Sequence, residues 1–192
     1  MTDIEVRPAG PADEAATEQI EIEADALLVE RFGAEDWPPP TPPHERTITP
    51  GFVLVAATQD TETRDTETRD AGTEGTEARD DGAAPHLVVG FVHVLELDGH
   101  AHLEQLSVLP AFGRRGIGRR LVEAALAEAR ERGHTEITLR TYAEVPWNAP
   151  FYASCGFVVT EPDTPLHQEL VRTEAALGLF AYGPRVQMTA AL

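Results

Sequence analysis

Apolar and polar residues alternate over residues 4–7, the two-residue period of a strand with one buried face. Over 11–32 the period lengthens to that of a helix, with Ile20, Ala24, Leu27 and Leu28 on its buried stripe. Pro11 suits the first turn of that helix, where a missing N–H costs nothing. The run Trp-Pro-Pro-Pro-Thr-Pro-Pro at 37–43 breaks any helix and predicts a stiff extended loop. Short apolar, β-branched runs at 52–57 and 87–97 read as strands, and Asp98-Gly99 marks a hairpin turn into the next, 101–108, which Pro110 closes. Residues 116–132 predict the strongest helix, with Ile117, Leu121, Val122, Ala125 and Ala129 on one face and Gly133 as its stop. A strand at 136–141, a short helix at 148–154 with Asn148 at its N-cap, and a strand at 157–160 follow. A helix at 169–177 and a last strand at 185–189 complete the order. The pattern predicts a mixed α/β (α+β) fold, its strands antiparallel early and alternating with helices later.

One stretch fits no element. Thr61-Glu-Thr-Arg-Asp65 recurs as Thr66-Glu-Thr-Arg-Asp70, with a degraded copy at 76–80. Residues 58–86 hold nine acids against three arginines and almost no large apolar side chain. Such a segment cannot bury enough surface to offset its ordering entropy, so it reads as a disordered hairpin insertion in an otherwise single domain spanning 1–192.

Composition removes several chemistries. The chain has 192 residues, a formal charge of −18, and fifteen basic residues that are all arginine. Without lysine there is no phosphate-loop lysine, no pyridoxal Schiff base and no kinase ion pair. Nucleophiles are scarce: Cys155 is the one cysteine, and Ser107 and Ser154 are the two serines, neither in a Gly-x-Ser-x-Gly elbow. No His-Glu-x-x-His or paired Cys-x-x-Cys occurs, so no metal is expected. Early charges with no apolar run speak against a signal peptide or a membrane span, and global acidity against nucleic acid. A cytoplasmic protein is expected, as a monomer or homodimer.

The informative segment is Gly113-Arg114-Arg115-Gly116-Ile117-Gly118-Arg119-Arg120, where a strand ends, the chain turns on glycines and a helix begins. Free N–H groups and the positive dipole end at a helix start attract anions, and arginine suits phosphate through its planar fork. The third glycine of a dinucleotide fingerprint is missing. A pyrophosphate-bearing ligand is the favoured reading over a merely solvated helix start.

With Asn148-Ala-Pro-Phe-Tyr152-Ala-Ser-Cys-Gly156-Phe157 further on, the chain resembles the GCN5-related N-acetyltransferase (GNAT) superfamily. Its coenzyme A loop has the form Gln/Arg-x-x-Gly-x-Gly/Ala, and Gly116 and Gly118 match the later two positions. The resemblance implies a mixed, mostly antiparallel sheet flanked by helices, acetyl-CoA as co-substrate, and direct transfer to an amine. Leu106, Ser107 and Val108 then match the bulged strand whose backbone holds the pantetheine arm. Residues from Arg114 through Arg115, Gly116, Ile117 and Gly118 to Arg119 match the pyrophosphate loop. Tyr152 matches the tyrosine that protonates the departing thiolate.

Two departures are visible. Gly113 replaces the usual Gln or Arg, loosening one phosphate contact, and the family's asparagine seven residues before the tyrosine falls on Val145. Asn148 stands between contact with coenzyme A and capping of its own helix. His102 and Glu104, two apart on a strand and so on one face, are the candidates for general base, with a water chain as the alternative. A glutamate used by another branch on the following strand is Arg140 here. Trp147 is placed at the substrate mouth, and Cys155, with nothing nearby to lower its pKa, is assigned to packing.

The acceptor is expected from the first helix and the loop after it. Residues 1–50 hold twelve acids against three arginines, which would attract a cationic amine: a polyamine, an aminoglycoside-like amine, or a protein N-terminus or lysine. Competing readings are a non-catalytic acyl-CoA sensor with the same fold, and an acidic interaction module acting through 58–86.

Overall fold

The computed structural model describes residues 4–58 and 87–192; the repeat segment read as an insertion lies, but for Thr58, outside the described residues. The strands are β1 (Ile4–Pro8), β2 (Gly51–Thr58), β3 (Leu87–Leu97), β4 (His100–Val108), β5 (Glu136–Tyr142), β6 (Val158–Thr160) and β7 (Arg185–Ala191). They build one seven-stranded sheet in the order β1-β2-β3-β4-β5-β7-β6. Every pairing is antiparallel except β4 with β5. Helices α1 (Glu14–Phe32), α2 (Pro43–Ile48), α3 (Ile117–Glu131), α4 (Ala149–Ser154) and α5 (Pro165–Ala176) flank it.

The two-residue period of β2 divides the core between the sheet's faces. Leu54 and Ala56 pack with Ile117, Leu121, Val122, Ala125 and Ala129 of α3, whereas Val55 packs with Ile20 of α1. Helices α1 and α3 therefore cover opposite faces of the same strands. The five α3 residues are each at most 2% exposed, as their helical spacing predicts.

Helix α1 departs from its reading. Ile20 is buried, but Leu27 is 41% exposed, because the apolar stripe runs past the core and lines an open cleft. A short turn at Pro11–Asp13 precedes α1, with Arg7 gripping Asp13 through hydrogen bonds of 2.7 and 3.0 Å. Helix α2 was not expected after the proline run. It is anchored by Arg46, whose guanidinium pairs with Glu21, donates to Thr17 Oγ1 at 3.2 Å and lies 4.9 Å over the Phe91 ring. Helix α5 begins at Pro165, four residues before the expected start at 169, with Thr164 Oγ1 accepting from the His167 N–H at 3.1 Å. No helix among the described residues is long and apolar enough to cross a membrane.

Candidate active site

Strands β4 and β5 pair only over Ala101–Ile137, His102–Thr138 and Leu103–Leu139, and then part. The divergence begins at a bulge. Leu103 lies opposite Val94 and Gln105 opposite His93, so Glu104 is one residue more than β3 can match. From Glu104 to Val108 the β5-side edge of β4 has no strand partner among the described residues, which leaves backbone polar groups facing a gap. That gap is the middle of a cleft of roughly 1090 Å³ lined from α1 on one face of the sheet and from α3 and α4 on the other.

On the α3 side lie Leu106, Ser107 and Val108 together with Gly113, Arg114, Gly116, Ile117, Gly118 and Arg119. Ser107 is buried and accepts from Gln105 Nε2 at 2.9 Å. Gly116 takes φ +79°, a left-handed turn that a side chain would strain, and the first turn of α3 that starts from it, Gly116 to Arg119, lines the cleft. Arg114 also turns left-handed, at φ 58°, and makes no hydrogen bond or ion pair among the described residues.

The four arginines read together as a phosphate cluster divide. Arg119 donates at 2.9 Å to both the carbonyl and the hydroxyl of Ser154, tying α3 to α4. Arg120 reaches the opposite way, to the Ile4 carbonyl at 2.6 Å. Arg115 donates to the Ala111 carbonyl at 3.2 Å, lies 5.0 Å over the Phe112 ring, and does not line the cleft. Arg114 alone of the four is left unengaged.

Tyr152 enters from α4. It is buried edge-on between Phe151 and Phe157, with ring centroids 5.2 and 5.8 Å away, and it lines the cleft. Burial pushes its phenol pKa well upward, so the hydroxyl keeps its proton. Asn148 occupies the N-cap position, accepting from the Tyr152 N–H at 3.0 Å through its carbonyl, but its side chain makes no cap bond and borders the cleft instead. Trp147 lines the cleft. Burial raises the Cys155 thiol, which leaves it unactivated.

The two base candidates stand side by side in different states. His102 is 3% exposed, with Nδ1 2.8 Å from Thr138 Oγ1 and Nε2 3.8 Å from Glu104 Oε2. Burial, then the charges of His167, Arg140 and Arg185, push its pKa down to about 3, so the ring is neutral. The Glu104 side chain, 42% exposed, is open to water yet enclosed by the cleft walls. That enclosure, followed by the Glu174 carboxylate, raises its pKa, while Arg185 opposes the rise.

Sequence reading missed the ion network behind this pair. Glu174 of α5 accepts from Arg140 Nε at 2.8 Å and from Arg185 at 2.6 Å, and Arg185 lies 4.5 Å over the Tyr142 ring. The first helix and the loop after it do line the cleft, through Asp25, Trp37 and Pro38, but Leu179 beside them was not anticipated. No signal in the sequence joins Glu174, Arg185 and Leu179 to the site, because only the folded chain brings them beside the cleft. Among the described residues no group of three or more His, Cys, Asp or Glu could hold a metal ion.

The chain matches the model of the acetyltransferase (GNAT) family over residues 32–157. Its structure is similar to that of a PaiA N-acetyltransferase from Thermoplasma acidophilum in complex with coenzyme A, at 15% identity over 99% of each chain with TM-score 0.62. It is similar also to an acetyltransferase of the GNAT family from Staphylococcus aureus, at 14% identity over 99% of each chain with TM-score 0.63. A third likeness is to a GCN5-related N-acetyltransferase from Rhodopseudomonas palustris, at 19% identity, covering 100% of this chain and 98% of that one, with TM-score 0.58. At these identities the likeness is one of fold.

Proposed function

Because the chain belongs to the GNAT family of acetyltransferases, we propose that it moves an acetyl group from acetyl-CoA to a primary amine while both occupy the cleft. The observation that carries this reading is the parting of β4 from β5, which leaves Glu104 and Tyr152 facing one passage through the sheet.

The residues on the α3 side fit coenzyme A. The α3 N–H groups and the uncommitted Arg114 would hold the pyrophosphate, and the open edge of β4 from Leu106 to Val108 would pair with the amide-bearing pantetheine arm. An ammonium arriving from the α1 side gives a proton to the Glu104 carboxylate and becomes a nucleophile. Its nitrogen bonds to the thioester carbonyl carbon, an N–H of the β4 edge stabilises the oxyanion, and the C–S bond breaks. Tyr152 delivers its proton to the departing sulfur, and the second proton lost by nitrogen restores the phenol. His102, neutral and held at Thr138, positions the Glu104 side of the bulge and does not itself take the proton.

The test is thiol release from acetyl-CoA against a panel of amines, with coenzyme A binding measured in parallel. Turnover on an amine supports the reading, and coenzyme A binding without turnover on any amine supports the sensor instead. Two variants sharpen it. Arg114→Ala should weaken coenzyme A binding by about tenfold in calorimetry, the scale of one charge-assisted hydrogen bond at a solvated site, whereas Arg120→Ala should not. Tyr152→Phe should lower kcat roughly tenfold to a hundredfold with the KM for acetyl-CoA little changed, because a thiolate departs tolerably without a proton donor.

A further inference from the structure

Of the twelve acids in residues 1–50, only Glu21 and Asp25 line the cleft. Glu18, Glu23 and Glu30 are exposed and do not line it. The carboxylates that do are Glu21, Asp25, Glu104 and Glu174. Glu21 is paired with Arg46, and Glu174 with both Arg140 and Arg185. Four carboxylates thus face three arginines, leaving a single negative charge in excess. Arg31, 5.6 Å over the Trp147 ring, adds a cation at the mouth.

Beyond these charges and a few polar groups such as Thr141 and Thr173, much of that half is apolar. Leu28, Trp37, Pro38, Leu170, Leu177 and Leu179 line it, and Leu177 is 49% exposed. Trp37 is held rigidly: its Nε1 donates to Asp25 Oδ2 at 3.1 Å, and its ring lies 6.3 Å from Phe32, 6.4 Å from Tyr142 and 5.4 Å from Tyr182. A preformed wall of this kind gains by covering apolar surface. A polyamine or aminoglycoside would set several ammonium or hydroxyl groups against it without partners, which is costly. A free amino acid would bring a carboxylate to a wall whose cations, Arg140 and Arg185, are both already held by Glu174.

Resting on the acetyl-transfer reading above, we infer that the acceptor is a hydrophobic monoamine: one primary amine directed at Glu104, on an aryl or alkyl body seated against Trp37 and the leucines. The test is thiol release from acetyl-CoA by the full chain with 2-phenylethylamine, hexylamine, spermidine, kanamycin and phenylalanine. The kcat/KM for the first two should exceed the others at least tenfold. Trp37→Ala should raise KM for 2-phenylethylamine about tenfold with a smaller change in kcat, and Trp37→Phe should restore most of the loss. A preference for spermidine, kanamycin or phenylalanine overturns the monoamine inference and leaves acetyl transfer standing. Coenzyme A binding with no turnover on any of the five overturns the monoamine inference, and acetyl transfer falls with it only if peptides bearing a free N-terminus or a lysine are inert as well.

Discussion

Glu104→Gln should keep coenzyme A binding and lose about a hundredfold to ten-thousandfold in kcat, the usual contribution of a positioned general base. The side chain keeps its size and its place at the β4 bulge but can no longer accept a proton. The pH profile makes the assignment specific. A base works deprotonated, so the wild-type rate should rise with pH through the Glu104 pKa, which enclosure and the Glu174 charge hold above its ordinary 4.5. In Glu104→Gln that limb should vanish. His102, with a pKa of about 3, would place a limb far lower, and His102→Asn should cost less than tenfold. A Glu104→Gln enzyme within threefold of wild type would remove the carboxylate from the chemistry.

Much of this site is legible along the chain because its parts are local. The loop from Gly113 to Gly118 and the helix after it lie within one short window, and the five buried residues of α3 follow a simple helical period. The roles inside the loop are less legible. Arg119 and Arg120 look identical in sequence, yet one is committed to Ser154, 35 residues away, and the other to Ile4, 116 residues away. For these two, long-range contacts decide that neither is left for an anion. Leu27 shows the same limit: its helical spacing marks an apolar stripe but not whether core or cleft lies opposite. The walls of the acceptor half are less legible still, since Trp37 reads as part of a rigid proline run and Leu179 falls between the last helix and the last strand, where the pattern assigns no element.

Glu174→Ala should be the most damaging substitution for stability outside the hydrophobic core, costing about 3–5 kcal/mol in urea unfolding. Its carboxylate bridges Arg140, whose side chain is 6% exposed, and Arg185, at 11%. Removing it leaves two guanidinium groups out of water without a counter-charge, which costs more than the original pair contributed. Glu174→Gln keeps an acceptor for one arginine and should lose less, and it supplies a folded protein for kinetics should the alanine variant not assemble. There the network should show a second effect. The Glu174 charge raises the Glu104 pKa and Arg185 lowers it, so neutralising Glu174 removes the first influence and releases the second. The acid limb of the pH–rate profile should move to lower pH in Glu174→Gln, with coenzyme A affinity unchanged. An unmoved limb with the expected loss of stability would confine the network to holding α5 on the sheet and would detach it from the base.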